Sequence, residues 1–259
     1  MMLVIILINL PAFAQTITAF RWPQGKHAAV SLTFDDARLS QVASGLALLD
    51  LYGIKATFFV VPSNVEKRID GWKKAVASGH EIGNHTLHHP CTGNFSWSRK
   101  TALEEYTLQD MRKEITEGNE RIHQLLGVVP EVFAYPCGQK FVGRSLDTKS
   151  YVPLVAELFI LGRGWLDETS NDPNFCDFAQ ITGIEMDEMN FDQILPLLEE
   201  AKMNGKWLVL AGHEMGKSGV QTTRLKMLRK LLEHGKDPAN GIWIAPAGTV
   251  AKFIRENRK

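Results

Sequence analysis

Two rhythms of apolar and polar positions alternate along this chain. Short runs rich in β-branched and aromatic residues recur at 28–34, 56–61, 81–84, 132–135, 158–161, 179–184, 207–210 and 242–244, and each reads as a buried strand. Between them, apolar residues at helical spacing predict helices over 41–52, 72–78, 103–126, 191–203, 223–233 and 249–256. Strands that alternate with helices predict a mostly parallel sheet covered by helices. No repeat, low-complexity tract or long linker divides the pattern, so the expectation is one α/β domain.

The first residues break that pattern. Residues 1–10 form a short apolar run, and Ala12-Phe13-Ala14 followed by Gln15 is a small-residue cleavage pattern. Residues 1–14 therefore read as a secretory signal peptide cleaved after Ala14, leaving 15–259 as the mature domain, secreted or periplasmic. The run is too short for a bilayer span, and no second stretch reads as one. A hydrophobic content of 44% supplies ample core, and a formal net charge of zero argues against a nucleic-acid partner, which needs phosphate neutralisation. The basic residues at 226–230 fall on the solvated face of a predicted helix. Of the three cysteines, a Cys91–Cys176 bridge and three unpaired thiols are equally open.

The candidate chemistry sits at strand ends. Thr33-Phe34-Asp35-Asp36 closes the first strand, and His85-Thr86-Leu87-His88-His89 follows the third. A hard carboxylate with imidazoles at ligand spacing suits a divalent metal, zinc by availability, with cobalt, nickel or manganese also compatible. Neighbouring residues on a strand face opposite ways, so both aspartates reach one site only if the strand ends or bends there. Adjacent aspartates do not match the two-residue spacing of haloacid dehalogenase phosphatases. No glutamate follows the first histidine, so the helical zinc-protease motif is absent, and Gly79, Gly83 and Pro90 favour a strand and loop instead.

Both segments resemble the first two motifs of the NodB-homology polysaccharide deacetylases, carbohydrate esterase family 4, with weaker similarity over residues 28–244. The resemblance implies a distorted barrel of seven or eight βα units. It also implies Asp35 as general base and Asp36, His85 and His89 as metal ligands. The third family motif, Arg-x-Pro-x-Gly, is matched by Ala134-Tyr135-Pro136-Cys137-Gly138, with Ala134 in place of the arginine. That turn would aim the Cys137 N–H at a developing oxyanion. Tyr135 and Pro136 are then expected to contact substrate.

The family arginine orients the catalytic aspartate and pairs with an acidic residue of a fourth motif, which is absent. Leu161-Gly162-Arg163-Gly164-Trp165 falls in that stretch, so Arg163 is expected to reach Asp35, and Trp165 to form a wall of the sugar groove. His213, after the late strand and with Ala211 where the family carries leucine, is the candidate general acid. The resulting expectation is a metal-dependent deacetylase acting on an acetylated polysaccharide or oligosaccharide, on N-acetyl before O-acetyl groups. The same chemistry permits hydrolysis of a small amide or formyl compound. The altered third and fourth motifs also permit a catalytically silent carbohydrate-binding homologue.

Overall fold

The computed structural model describes residues 20–258; the expected signal peptide lies outside them. The main strands are β1 (Ala28–Asp35), β2 (Thr57–Val60), β3 (Glu81–Asn84), β4 (Val132–Ala134), β5 (Leu161–Arg163), β6 (Ile184–Glu185), β7 (Trp207–Gly212) and β8 (Ile242–Ile244). The helices are α1 (Leu46–Leu51), α2 (Pro62–Glu66), α3 (Ile69–Ala77), α4 (Leu108–Leu126), α5 (Val152–Leu158), α6 (Phe191–Asn204), α7 (Leu225–Lys236) and α8 (Ala247–Asn257).

The strands form one parallel sheet in the order β5-β4-β3-β2-β1-β7-β6, with β8 also on β1. On one edge β1 pairs with β7 from Ala29 to Phe34; its other pairings are with β8 through its first residues and β2 through its last. Flanked on both edges and covered on both faces, all eight of its residues are buried, and it reads as a largely apolar run with Ser31, Thr33 and Asp35 alternating on one face. Alternate residues divide between two faces. Ala28, Val30, Leu32 and Phe34 cluster with Leu198 of α6 and Leu228 of α7, whereas Ala29 clusters with Val132, Ala134, Leu161, Ile181 and Val209 inside the sheet's curl. Ser31 and Thr33 share the inner face and spend their hydroxyls on the carbonyls of Ala245 and Leu210. The sheet's two edges are drawn together because Ile181 bonds Gly162 and Gly164 of the β5 segment, each at 2.8 Å, before its chain joins β7 as β6. The result is the distorted barrel expected from the resemblance.

Several boundaries differ from the apolar pattern. The helix expected from residue 103 starts at Leu108, because Thr107 and Asp110 form a reciprocal capping box and 103–105 make a separate turn. The strand expected over 158–161 begins only at Leu161: Pro153 opens α5, which takes Leu158 into a helix. Most of the strand expected over 179–184 is a turn capped by Asp177, leaving Ile184–Glu185 in the ladder. The helix expected from residue 223 starts at Leu225, since Thr222–Arg224 pairs with Glu214–Gly216. The short helix α2 has no counterpart in the apolar pattern.

Candidate active site

Every chemically interesting side chain lies at or just past the C-terminal end of a strand, where parallel α/β folds collect loops. Asp35 ends β1, His85 follows β3, Cys137 follows β4, Trp165 follows β5, Asp187 follows β6 and His213 follows β7. Asp35, Asp36, His85, His89, Cys137, Trp165 and His213 line one cavity of about 1130 Å³. Tyr135 and Pro136 do not line it. Tyr135 is buried beneath, its hydroxyl donating to the Ala179 carbonyl at 2.6 Å, and Pro136 is buried with it.

The two adjacent aspartates serve one site because the strand stops between them. Asp35 continues the inner-face alternation of β1, while Asp36 turns into the left-handed region at φ 72°. Such backbone costs about 1–3 kcal/mol in a non-glycine residue and persists where the surroundings dictate it. Inside the barrel Asp35 Oδ1 accepts from Arg163 Nη2, and neither side chain is more than 3% exposed. Arg163 also donates from Nη1 to the Gly164 carbonyl at 2.8 Å, and its guanidinium lies 5.0 Å from the Phe59 ring centre. Phe59 occupies that place only because Gly83 has no side chain, since a Cβ there would overlap the ring.

Asp36, His85 and His89 each present one ligand atom within 4.8 Å of the others. Asp36 Oδ1 is 3.5 Å from His85 Nε2 and 3.3 Å from His89 Nε2. The second ring nitrogen of His85, Nδ1, lies 2.9 Å from the Ala134 carbonyl. A carbonyl only accepts, so Nδ1 carries the proton and the Nε2 lone pair is free for a metal. Burial disfavours the Asp36 anion, but His85, His89 and Arg38 outweigh it and draw its pKa to about 2. Burial, reinforced by His85, pushes His89 down to about 4 against the pull of Asp36 and Asp35. At neutral pH the pair is thus an anion and a neutral imidazole, the protonation states a divalent cation requires. The donor set fits such an ion. His88 is turned aside, its backbone N–H and ring against Glu114 of α4. A second grouping, His89 with Cys91 and Cys137, is closed to metal because its two sulfurs are bonded to each other.

His213 Nδ1 lies 2.8 Å from Asp187 Oδ2, and the other Asp187 oxygen accepts from Thr223 Oγ1 at 2.7 Å and from the His213 backbone N–H at 3.2 Å. A carboxylate fixes the Nδ1–H tautomer, leaving Nε2 for the cavity. Burial alone would lower the His213 pKa. The hydrogen bond that His213 donates to Asp187 and the charges of Asp35, Asp36 and Asp187 more than offset it and hold the imidazole above its ordinary 6.5. Trp165 packs edge-on against the His213 ring with centres 4.7 Å apart.

Asp187 and Gln41 had no signal in the sequence. Asp187 sits among Glu185 and Glu188 and looks like any acidic surface turn. Gln41 Nε2 bridges the backbone carbonyls of Asp35 and His213 at 2.7 and 2.8 Å, tying the ends of β1 and β7 together, a role invisible without topology.

The turn after β4 bends at Cys137, φ 54°, and Gly138, φ 67°. Gly138 is required twice over, by its left-handed backbone and because a Cβ would stand 3.0 Å from the Trp165 carbonyl. Among the described residues the Cys137 N–H makes no backbone hydrogen bond. Cys137 is disulfide-bonded to Cys91, two residues past His89, and Cys176 is the free cysteine. The Cys91–Cys176 bridge that the sequence left open is therefore corrected. The loops carrying Cys91 and Cys137 meet at the cavity, whereas Cys176 lies by Arg258.

A curled parallel sheet with a carboxylate–imidazole cluster and two further carboxylate-paired groups at its C-terminal rim defines a NodB-type deacetylase architecture. The polysaccharide deacetylase family model matches residues 23–150, and this chain belongs to that family. A peptidoglycan-N-acetylglucosamine deacetylase of Bacillus cereus is 36% identical over 122 residues, 47% of this chain and 40% of that protein. The chain thus spans less than half the length of the curated relatives it matches first, from 40% down to 8%. Among solved structures, a Mycobacterium smegmatis protein classed with the polysaccharide deacetylases superposes with a TM-score of 0.65 at 18% identity, covering 91% of this chain and 92% of that one. A family 4 acetyl xylan esterase from Clostridium thermocellum, with a cobalt ion, gives 0.55 at 21% identity over 87% and 91%. At these identities the structural matches speak to the fold alone. No helix among the described residues is long and apolar enough to cross a membrane.

Proposed function

We propose that this protein is a metal-dependent hydrolase that removes acetyl groups, N-acetyl in preference to O-acetyl, from a polysaccharide outside the cytoplasm. The observation that carries this reading is the meeting of three differently tuned units on one cavity: Asp35 with Arg163, Asp36 with His85 and His89, and His213 with Asp187. A divalent ion bound by Asp36, His85 and His89, with zinc the first candidate, would polarise the acetyl carbonyl and acidify a water molecule beside it. Arg163 donates to Asp35 and holds its carboxylate in place, and Asp35 takes the proton from the attacking water. The Cys137 N–H donates to the oxygen on which negative charge develops. His213, its pKa raised and its ring oriented by Asp187, then donates its Nε2 proton to the departing amine or hydroxyl. The cleavage pattern at residues 12–14 and the Cys91–Cys137 disulfide support an exported protein.

The test is acetate release from N-acetylglucosamine oligomers, peptidoglycan and acetylated xylan, before and after chelation and zinc repletion. Release that vanishes on chelation and returns with zinc is the expected result. Glycan binding without release from any substrate would leave a carbohydrate-binding homologue in place of an enzyme.

A further inference from the structure

The cavity extends beyond the groups that the acetyl chemistry uses. Past His89 its wall continues through the loop that precedes α4, which presents Phe95 and Trp97 at 45% and 61% exposure. Their rings stack 5.4 Å apart at 20°, and Trp97 lies 5.9 Å from the His89 ring, so three rings run as a ladder away from the metal-ligand cluster. Exposed rings contribute little to folding, because the stabilisation comes from removing apolar area from water.

The loop that carries them is nevertheless tightly held. Cys91 is cross-linked to Cys137, and its backbone N–H and carbonyl both bond Ser98 Oγ at 2.9 Å. Thr92 N–H donates to Gln139 Oε1 at 2.8 Å, Gly93 N–H to Glu104 Oε2 at 2.9 Å, and Arg99 Nε to the Gly93 carbonyl at 3.2 Å. Fixing backbone costs about 1–2 kcal/mol per residue. A rigid loop that displays two rings to water inside a concave site is preorganised for a ligand. The matching ligand has a flat face of C–H groups and a hydroxylated rim. A pyranose ring meets that description, with the Ser63 hydroxyl and the Gln139 amide nitrogen in the same cavity to meet its hydroxyls.

We propose that Phe95 and Trp97 form a sugar-stacking subsite for the ring adjoining the one that is deacetylated, so that the protein favours residues within a chain over free monosaccharides. This rests on the deacetylase reading above.

The test uses the metal-loaded protein and its Phe95→Ala and Trp97→Ala variants. Binding of monosaccharides and tetrasaccharides from the N-acetylglucosamine, peptidoglycan and acetylated xylose series is titrated, and acetate release is followed in parallel. The affinity of the preferred tetrasaccharide should fall about tenfold in each variant, the scale of one aromatic contact, with a several-fold smaller loss for its monosaccharide. That tetrasaccharide should also quench tryptophan fluorescence, with less quenching in Trp97→Phe. Equal losses for both lengths, no loss at either length, or an unmutated protein that binds no tetrasaccharide would overturn the subsite. Length-dependent binding that Phe95→Ala weakens, with no acetate released from any substrate, would support the subsite while overturning the deacetylase reading.

Discussion

Arg163 of β5 is the register partner of Ala134 of β4. Paired residues in a parallel ladder face the same side of the sheet, so Arg163 approaches Asp35 from the strand next to the one on which the family carries its arginine. The charge has moved by about 4.8 Å across the sheet and by 29 positions along the chain, 163 minus 134.

Removal of that charge should be costly. Arg163→Ala leaves a buried, unpaired carboxylate, a change that destabilises by about 3–5 kcal/mol, and kcat should fall by about 100-fold or more as Asp35 loses its orientation. Urea unfolding and steady-state kinetics read the two effects. Adding Ala134→Arg to the same protein should recover at least part of kcat, because the new guanidinium faces the same interior. Full activity in Arg163→Ala would remove the arginine from the mechanism.

The pH dependence follows from His213. A general acid works while protonated, so activity is lost as pH rises through its folded-state pKa, which lies above 6.5. Asp187→Asn removes both the anion and the charge-assisted hydrogen bond, lowering that pKa, and should move the alkaline limb of kcat/KM toward lower pH. On the acid side, protonation of His89 near 4 should release metal and end activity. Profiles of kcat/KM against pH for both proteins check the two limbs, and an unmoved alkaline limb in Asp187→Asn would exclude His213 as the acid.

Calorimetric titration of chelator-stripped protein with zinc should show one ion bound per chain. Alanine at Asp36, His85 or His89 should weaken that binding by about 100-fold or more, since loss of even an outer-shell partner costs 10–100-fold. Asp35→Asn should retain the ion while losing turnover. Undiminished binding in His85→Ala would place the ion elsewhere.

Reduction of Cys91–Cys137 frees a closure spanning 46 positions, and the chain-entropy model assigns that closure about 4 kcal/mol. The double variant Cys91→Ser, Cys137→Ser should melt earlier. It should also bind zinc less tightly, because Cys91 and His89 share one loop. Equal melting temperatures with and without reductant would show that the bridge adds nothing to stability.

What the sequence made legible follows from which forces act locally. β1 was readable because a strand covered on both faces is largely apolar. The aspartates and histidines were readable because metal chemistry constrains both residue type and spacing. Arg163 could be singled out once Ala134 left Asp35 without a partner. Asp187, Gln41 and the Cys91–Cys137 pairing were not readable, since each depends on loops that meet only when the barrel curls. The ends of α4 and α5 were set by Thr107 and Pro153, local signals that the apolar rhythm alone had overrun.

Gly83 has no side chain, and the consequence reaches beyond packing. The space it leaves is filled by Phe59, whose ring lies against the guanidinium that holds the Asp35 carboxylate. The smallest possible substitution there, one hydrogen for one methyl, would press on that ring and through it on Arg163. Asp35, the proposed general base, is therefore vulnerable to mutation at a position with no polar side chain, no contact with solvent and no chemistry of its own.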